Sequence, residues 1–471
     1  MILAGGLSAE DPGTLHRATL RVLGEVGVRV EHPGVVDRLR AYGAVVGGDG
    51  QRVFLPHDLV EAAVEAQRSP QPPGRSPAVG LYCGIYNSVY LDTMSGELRP
   101  FDEPALADYI GLARRVAGPS AVGMLGLPFL PASTSGSTLP LLEKLFCWKW
   151  GANPDGSVHL TALCEPLMDL FRCHADATGR ALDEVFVATG YLISPLRLAR
   201  PECEQLLYFA ERGLRMGIGH MPSQGGSVPV SFAGAVALTV AERLFLHILE
   251  LAMWGDGRLG LGSVVTTMDY RRCVSCLGRP EMHRITAALA DMARFYGCDA
   301  WGGTALSDAK TPSCEAGAQK AIGTLAGALA AGSATIAAGL LAMDEVCSPV
   351  QMVMDADIAA AVNVTLARPS LDGLDAAVEE IARVGPGGSF IATDETARTY
   401  RRELWEPRTW EHLSLAGWAA AAKGSDVDRA KARALELMQA HPPTPLISEE
   451  HERELWMIVK RAHAPPRSRE D

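Results

Sequence analysis

Short apolar runs of seven or eight residues recur along the chain. They are AVGMLGL from Ala121, SVHLTAL from Ser157, EVFVATG from Glu184, RMGIGHM from Arg215, RLGLGSVV from Arg258, CDAWGGT from Cys298, ATIAAGLL from Ala334 and SFIATDE from Ser389. Between most neighbours lies a segment with apolar positions at helical spacing, long enough to connect parallel strands. Eight such units predict an α/β protein built as a closed (β/α)₈ TIM barrel, with its active site where the strands end. That geometry selects the residues that can meet; it does not choose a reaction.

The flanks read differently. Leu15 to Val26 has helix spacing with Gly27 at the C-cap, Val35 to Leu39 and His57 to Ala66 read as helices, and Arg52 to Leu55 as a strand. SPQPPGRSP is loop, and SVYLDTMSGELRPFD alternates around Ser95-Gly96 as a hairpin does. DEPALADYIGLARRVAG begins with carboxylates and ends with arginines, the polarity a helix dipole favours. C-terminal helices are expected over Thr396 to Leu404, Leu413 to Ala422, Val427 to Ala440 and Glu449 to Arg461, and APPRSRED is expected to be disordered. The expected division is an N-terminal α+β extension over 1–118, the barrel over 119–400 and a helical extension over 401–471.

Composition narrows the function. A formal net charge of −12 argues against a general nucleic-acid binder. No run of about 18 residues is free of charge and glycine, so no membrane span is expected. The start lacks a secretory pattern, which makes the cytoplasm the expected location. The ten cysteines do not form a disulfide framework. Cys273 and Cys276 make a single CxxC, and Cys164, Cys173 and His174 are scattered, so no bound metal is expected.

Candidate chemistry falls on the segments after the strands. The fourth carries His220, Gln224 and the Gly225-Gly226 pair, and leads into a helix whose N-terminus suits an anion; a capped structural turn is the other reading. The sixth carries Trp301, Asp308 and Lys310, either a polar ligand site or a surface pair worth little. Asp344 and Glu345 end the seventh, as a cation site, a base or a solvated loop. Tyr191 ends the third, and with Trp301 it is the better placed of the aromatic residues for a quaternary ammonium cage. VGPGGS precedes the eighth strand and reads as a tight turn.

Several of these segments resemble the trimethylamine methyltransferase (MttB-like) family. They are LGEVGVRVEHPGVVDRLRAYGA, GGSVPVSFAGAVALTVAE, RFYGCDAWGGTALSDAKTPSCEAGAQKA and VGPGGSFIATDETARTYRRELWEPRTW. The resemblance implies a (β/α)₈ barrel that moves a methyl group from an amine to the cobalt of a corrinoid carried by a small partner protein. Founding members acting on trimethylamine use pyrrolysine; this chain uses the standard twenty residues, which places it with the non-pyrrolysine branch. The chain differs from the family pattern at Ser389, Thr393 and Asp394 and over CSPVQMVMDAD.

A quaternary ammonium departs as a neutral amine when its methyl is attacked, so orientation suffices and no general acid is needed. The expected activity is therefore corrinoid-dependent demethylation of a betaine-like or related N-methyl amine. Tyr191, His220, Gln224, Trp301, Asp308, Lys310, Asp344 and Glu345 are expected to line the substrate site. The alternatives are a barrel lyase or hydrolase using Asp344 or Glu345 as base, and a non-catalytic binder of methylated amines. Homo-oligomerisation is expected.

Overall fold

A computed structural model of the protein describes residues 6–68, 77–86, 88–421, 424–440 and 442–463. The loop expected at SPQPPGRSP and the expected disordered tail lie outside them, apart from Pro77. Eight short strands organise the body: β1 (Ala78–Ile85), β2 (Val122–Met124), β3 (Asn153–Pro154), β4 (Thr189–Tyr191), β5 (Gly217–Gly219), β6 (Gly260–Leu261), β7 (Asp299–Ala300) and β8 (Ser333–Ala337). Each is followed by a helix. In order these are α1 (Glu103–Val116), α2 (Leu139–Trp150), α3 (Cys164–Thr178), α4 (Arg200–Ala210), α5 (Phe232–Trp254), α6 (Pro280–Tyr296), α7 (Cys314–Ala331) and α8 (Pro349–Leu366).

The pairings are parallel throughout. Ile336 of β8 sits opposite Leu81 of β1, Cys83 opposite Val122 of β2, and Gly123 opposite Asn153 of β3. Ser157 bridges to Thr189 of β4, and Gly190 pairs with Ile218 of β5. Beyond β5, Ser223 meets Thr266, just past β6; Gly260 of β6 faces Asp299 of β7; and Thr304, past β7, faces Thr335 of β8. The architecture is mixed α/β.

Two strand expectations need correction. β1 falls inside the block 1–118 assigned to an N-terminal extension, and Ser389–Glu395 forms no strand. AVGLYCGI carries glycine and tyrosine on one face instead of branched residues, so it lacks the usual strand signature. In SFIATDE the Thr393 hydroxyl accepts from the Thr396 amide at 3.2 Å and starts a helix, which leaves Ile391 exposed with no neighbouring strand. The second run is also displaced: the strand is Asn153–Pro154, and Thr161–Leu163 is a turn of 3₁₀ helix.

The other elements form for the reasons legible in the residues. Asp102 accepts from the Ala105 amide at 2.8 Å and caps α1, while Arg114 and Arg115 close it. In the hairpin Val89–Leu91 with Leu98–Arg99, the Asp92 carboxylate accepts from Met94 and Ser95, and Gly96 takes the left-handed turn position. α5 is long and apolar enough to cross a membrane by length and composition, but it is mostly buried inside the protein. The N-terminal helices Asp11–Arg21 and Pro33–Tyr42 pack on it. Their buried Leu20, Val35 and Leu39 each contribute roughly 1.5–3 kcal/mol by leaving water. The extension thus covers the α5 flank. Its strand Val28–Val30 pairs with Arg197–Leu198, between β4 and α4.

Between α7 and α8 lies a fully buried ion pair. Lys320 donates to Asp355 at 2.5 Å and to the Ala337 carbonyl, and Asp355 also accepts from Gln351 and the Gly339 amide. With its lone pairs satisfied, the pair fixes the exit of β8 against both helices. That exit carries Asp344.

Candidate functional site

Alternation along β1 places Tyr82, Gly84 and Tyr86 on one face. A Cβ at Gly84 would lie 3.0 Å from both tyrosine rings, so only glycine lets the two rings close over this position. The Tyr82 hydroxyl extends across Gly123 of β2, where a Cβ would collide with it. Across β4 and β5, a Cβ at Gly219 would sit 3.4 Å from the Tyr191 ring. The glycines on this face let the tyrosine rings lie close over the strands.

Two carboxylates act on those tyrosines. Asp155, just past β3, accepts from the Ser157 amide at 3.0 Å and from the Ser157 hydroxyl. Its own amide donates to Glu143 of α2, which pairs at 2.7 Å with Lys144 in a wholly buried position. Burial raises the Tyr82, Tyr86 and Tyr191 hydroxyls above the usual phenol range, and the Asp155 charge adds to the rise at all three. The Asp344 charge adds to it at Tyr86. Burial pushes the Asp344 carboxyl itself up to about 6, with the neighbouring Glu345 adding to the shift. Burial also lowers His159, and the Lys144 charge acts in the same direction.

Asp344 sits on a strained turn. Ala342, Met343 and Asp344 have φ of 51°, 65° and 89°, three consecutive side-chain-bearing residues in the left-handed region. Such residues cost of order 1 kcal/mol or more each and persist where surrounding bonds over-determine them. Here the Ala342 amide donates to Ala309 at 2.8 Å, the Met343 amide to Ser307 at 3.0 Å, and the Ser88 hydroxyl to the Asp344 carbonyl at 2.7 Å.

The sequence candidates separate into groups. Tyr191 and Asp344 join the cluster, and Glu345 is exposed beside it, its carbonyl accepting from Val89. Trp301 is half-exposed over Gly262, where a Cβ would strike it. His220 is turned away. The even positions Gly190, Met216 and Ile218 share the face toward the helices, and His220 continues that alternation. It is buried with Nδ1 2.8 Å from Glu242 of α5, which also accepts from Ser194 and Leu196; burial holds the ring below its ordinary pKa. Asp308 is consumed structurally, accepting from the Leu277 and Gly278 amides at 2.8 and 3.0 Å. Lys310 is exposed and donates to the Asp308 carbonyl instead of pairing with its carboxylate. Gln224 lines a separate cavity of about 550 Å³ with Thr267, Tyr270, Arg271, Arg272 and Arg279. Its amide nitrogen donates to the Val230 carbonyl.

Tyr82, Tyr86, Asp155, Ser157 and His159 were not anticipated. The available signal was the Tyr-x-Gly-x-Tyr alternation at 82–86, which places two aromatic rings on one strand face. Rings and carboxylates together offer negative potential to an organic cation while leaving its apolar surface covered.

Such a cluster of tyrosine rings and carboxylates on a parallel α/β framework is a candidate small-molecule site. The trimethylamine methyltransferase (MTTB) family model matches residues 166–465, and the chain belongs to that family. It is 31% identical over 257 residues to trimethylamine methyltransferase MttB of Methanosarcina barkeri, covering 54% of this chain. The chain spans about half the length of that relative, 51%. It is 25% identical to glycine betaine methyltransferase of Desulfitobacterium hafniense strain Y51 over 94% of both chains. The crystal structure of the Methanosarcina barkeri monomethylamine methyltransferase aligns at a TM-score of 0.45 and 13% identity, over 97% of this chain and 90% of that one.

Proposed function

We propose that the eight βα units close as a (β/α)₈ barrel spanning β1 to α8, and that the protein demethylates a quaternary, betaine-like amine onto a corrinoid held by a separate small protein. The parallel pairings lead from β8 back to β1, which supports closure and moves the start of the barrel from residue 119 to about residue 78. The observation that carries the function is the grouping of Tyr82 of β1 and Tyr191 of β4 with Tyr86, Asp155 and Asp344, which follow β1, β3 and β8. The relative named glycine betaine methyltransferase, aligned over 94% of each chain, supports the same substrate class.

In this reading the tyrosine faces and the two carboxylates hold the ammonium. Asp155 is fixed by Ser157, and Asp344 by the hydrogen-bonded turn, so the cation meets groups already in place. When the partner docks, its corrinoid supplies the cobalt nucleophile that accepts the methyl group. Tyr191 and Trp301 are exposed, which offers aromatic surface to a broad, flat cofactor presented from outside. Because the leaving group is a neutral amine, no residue here has to deliver a proton.

Anaerobic incubation with glycine betaine and cob(I)alamin tests the reading. The expected outcome is the methylcobalamin spectrum with stoichiometric dimethylglycine. Product formed equally well without a corrinoid would favour a lyase or hydrolase. Tight binding of quaternary amines with no methyl transfer, to free cobalamin or to a corrinoid protein, would make the protein a binder.

A further inference from the structure

Beyond β5 and β6 the chain builds a small second sheet. Ser223–Gln224 runs parallel to Thr266–Thr267, and Thr266–Asp269 turns back as a hairpin with Val274–Cys276. The Tyr270 hydroxyl donates to the Gly225 carbonyl at 2.7 Å and fastens the hairpin to the loop after β5. The cavity of about 550 Å³ that Gln224 lines is bounded by this hairpin and by the starts of α5 and α6. Its size falls within the ~300–1,000 Å³ of small-molecule pockets. Its lining shares no residue with the tyrosine cluster.

The walls hold polar atoms that nothing satisfies. Gln224 and Thr267 are both more than nine-tenths buried, and neither Gln224 Oε1 nor Thr267 Oγ1 has a hydrogen-bond partner among the described residues. Native proteins rarely leave such atoms unpaired, because their desolvation is then uncompensated. The Gln224 amide nitrogen is committed to the Val230 carbonyl at 2.9 Å, so the oxygen is left as an acceptor. Glu281 Oε2, on the same wall, is a second buried acceptor without a donor.

Charge selects the rest of the ligand. Arg272 pairs with Asp269 at 2.9 Å and Arg279 with Glu281 at 3.1 Å, so these four cancel. Arg271 bonds to Asp269 only through its amide, and its guanidinium has no ion pair among the described residues. Val230 stands two positions before α5, and Arg279 and Glu281 flank the first residue of α6; neither helix start is closed by a side-chain cap. Both dipoles present their positive ends there. One surplus cation suits a single carboxylate, whereas a doubly charged phosphate would also face Asp269 and Glu281. A carboxylate alone would leave the two acceptors unpaired.

We infer that this cavity binds a small carboxylate that carries a hydroxyl or amino donor on the adjacent carbon. Arg271 and the helix starts take the carboxylate, Gln224 and Glu281 accept from the donor, and the Thr267 hydroxyl can bond to either group. A quaternary amine has no N–H to give, so this is not a second copy of the cation site. The inference does not depend on methyl transfer.

Titration calorimetry of the full chain with glycolate, glycine and acetate tests it. Glycolate or glycine should bind saturably and at least about tenfold tighter than acetate, and the better of the two identifies the donor. Arg271→Met should weaken that ligand at least about tenfold, and the isosteric Thr267→Val about fivefold. Arg271 is exposed, so near-UV circular dichroism should report an unchanged fold in that variant. Tyr191→Ala should leave the affinity as it is. Acetate binding as tightly as the other two, no saturable heat from any of them at about 10 mM, or an affinity that both Arg271→Met and Thr267→Val leave intact overturns the inference. So does a loss on Tyr191→Ala, which would merge this cavity with the cation site.

Discussion

The Ser88 hydroxyl donates to the Asp344 main-chain carbonyl at 2.7 Å, tying the left-handed turn after β8 to the segment that follows β1. One bond thus links the first and last units at the point where a carboxylate meets Tyr86. Ser88→Ala should cost about 1 kcal/mol of stability and loosen the turn. The expected signature is a weaker amine affinity with a melting temperature lowered by a few degrees at most, measured by calorimetry on the free and ligand-bound protein.

Asp344 gives a pH dependence of fixed sign. Its carboxyl is raised to about 6, so the folded chain holds that proton more tightly than the unfolded one. The stabilisation from holding it is fully present below the ordinary aspartate pKa and is lost as pH rises through 6. Asp344→Asn should therefore stabilise the protein at pH 7 by about 2 kcal/mol while weakening binding of a quaternary ammonium at least tenfold. In the wild type, affinity for the cation should fall as pH drops below 6. Titration calorimetry between pH 5 and 8 checks both signs; an affinity flat across that range would remove Asp344 from the cation site.

The tyrosines separate ring from hydroxyl. Tyr191→Phe retains the aromatic face and should preserve most of the affinity, whereas Tyr191→Ala should lose about 1–2 kcal/mol of cation–π attraction. Gly84→Val should act at a distance from the ligand. Its branched side chain has to displace the Tyr82 and Tyr86 rings, each 3.0 Å from the new Cβ, at about 1–3 kcal/mol of overpacking. Binding measurements on the three variants should rank Phe first and Ala and Val well below.

Much of this framework is legible in the residues. Runs one and three to seven predicted strands that occur with shifted ends, because apolar runs between helical segments identify βα units whatever their partners; run two misses its strand, which lies just before it at Asn153–Pro154. The ends of the series are different. β1 was hidden beside a Pro/Gly-rich loop and bears glycine and tyrosine where branched residues mark a strand. SFIATDE has the run but also a capping threonine, and it starts a helix instead. Tyr191 and Asp344 were accessible as strand-end residues. Tyr82, Tyr86 and Asp155 were not, since seeing them depends on knowing that β1 lies beside β2, with β3 on the far side of β2. His220 is placed differently: it follows a strand, and one step of alternation turns it toward Glu242 of α5.

His220 consequently tests structure against function. Its ring is buried beside Glu242, which also holds Ser194 and Leu196. His220→Ala should leave that carboxylate with one bond fewer and destabilise the fold by about 2 kcal/mol, with amine affinity unchanged in the folded fraction. A large loss of affinity at full stability would return His220 to the site.

The C-terminal helix α13 (Glu449–His463), which packs on α3, should be released by acid. Trp148 of α2 and His174 of α3 stack at 3.9 Å and 5°, and His174 stacks on His451 of α13 at 5.2 Å. Burial, then the His451 and Arg180 charges, holds His174 down to about 4. The unfolded chain takes up this proton near the ordinary histidine value and the folded one only near 4, so stability falls as pH drops from about 6.5 toward 4. The loss reaches about 3 kcal/mol at its limit. Lys149 opposes release by pairing with Glu452 of α13 at 2.6 Å and with Glu103 of α1. Hydrogen exchange at pH 7 and pH 5 should show faster opening of 449–463 at the lower pH, after correction for intrinsic rates, with α5 unaffected. His174→Phe keeps the stack without the titrating nitrogen and should remove most of the difference; equal protection of wild-type α13 at both pH values would show that the histidine stack does not govern its docking.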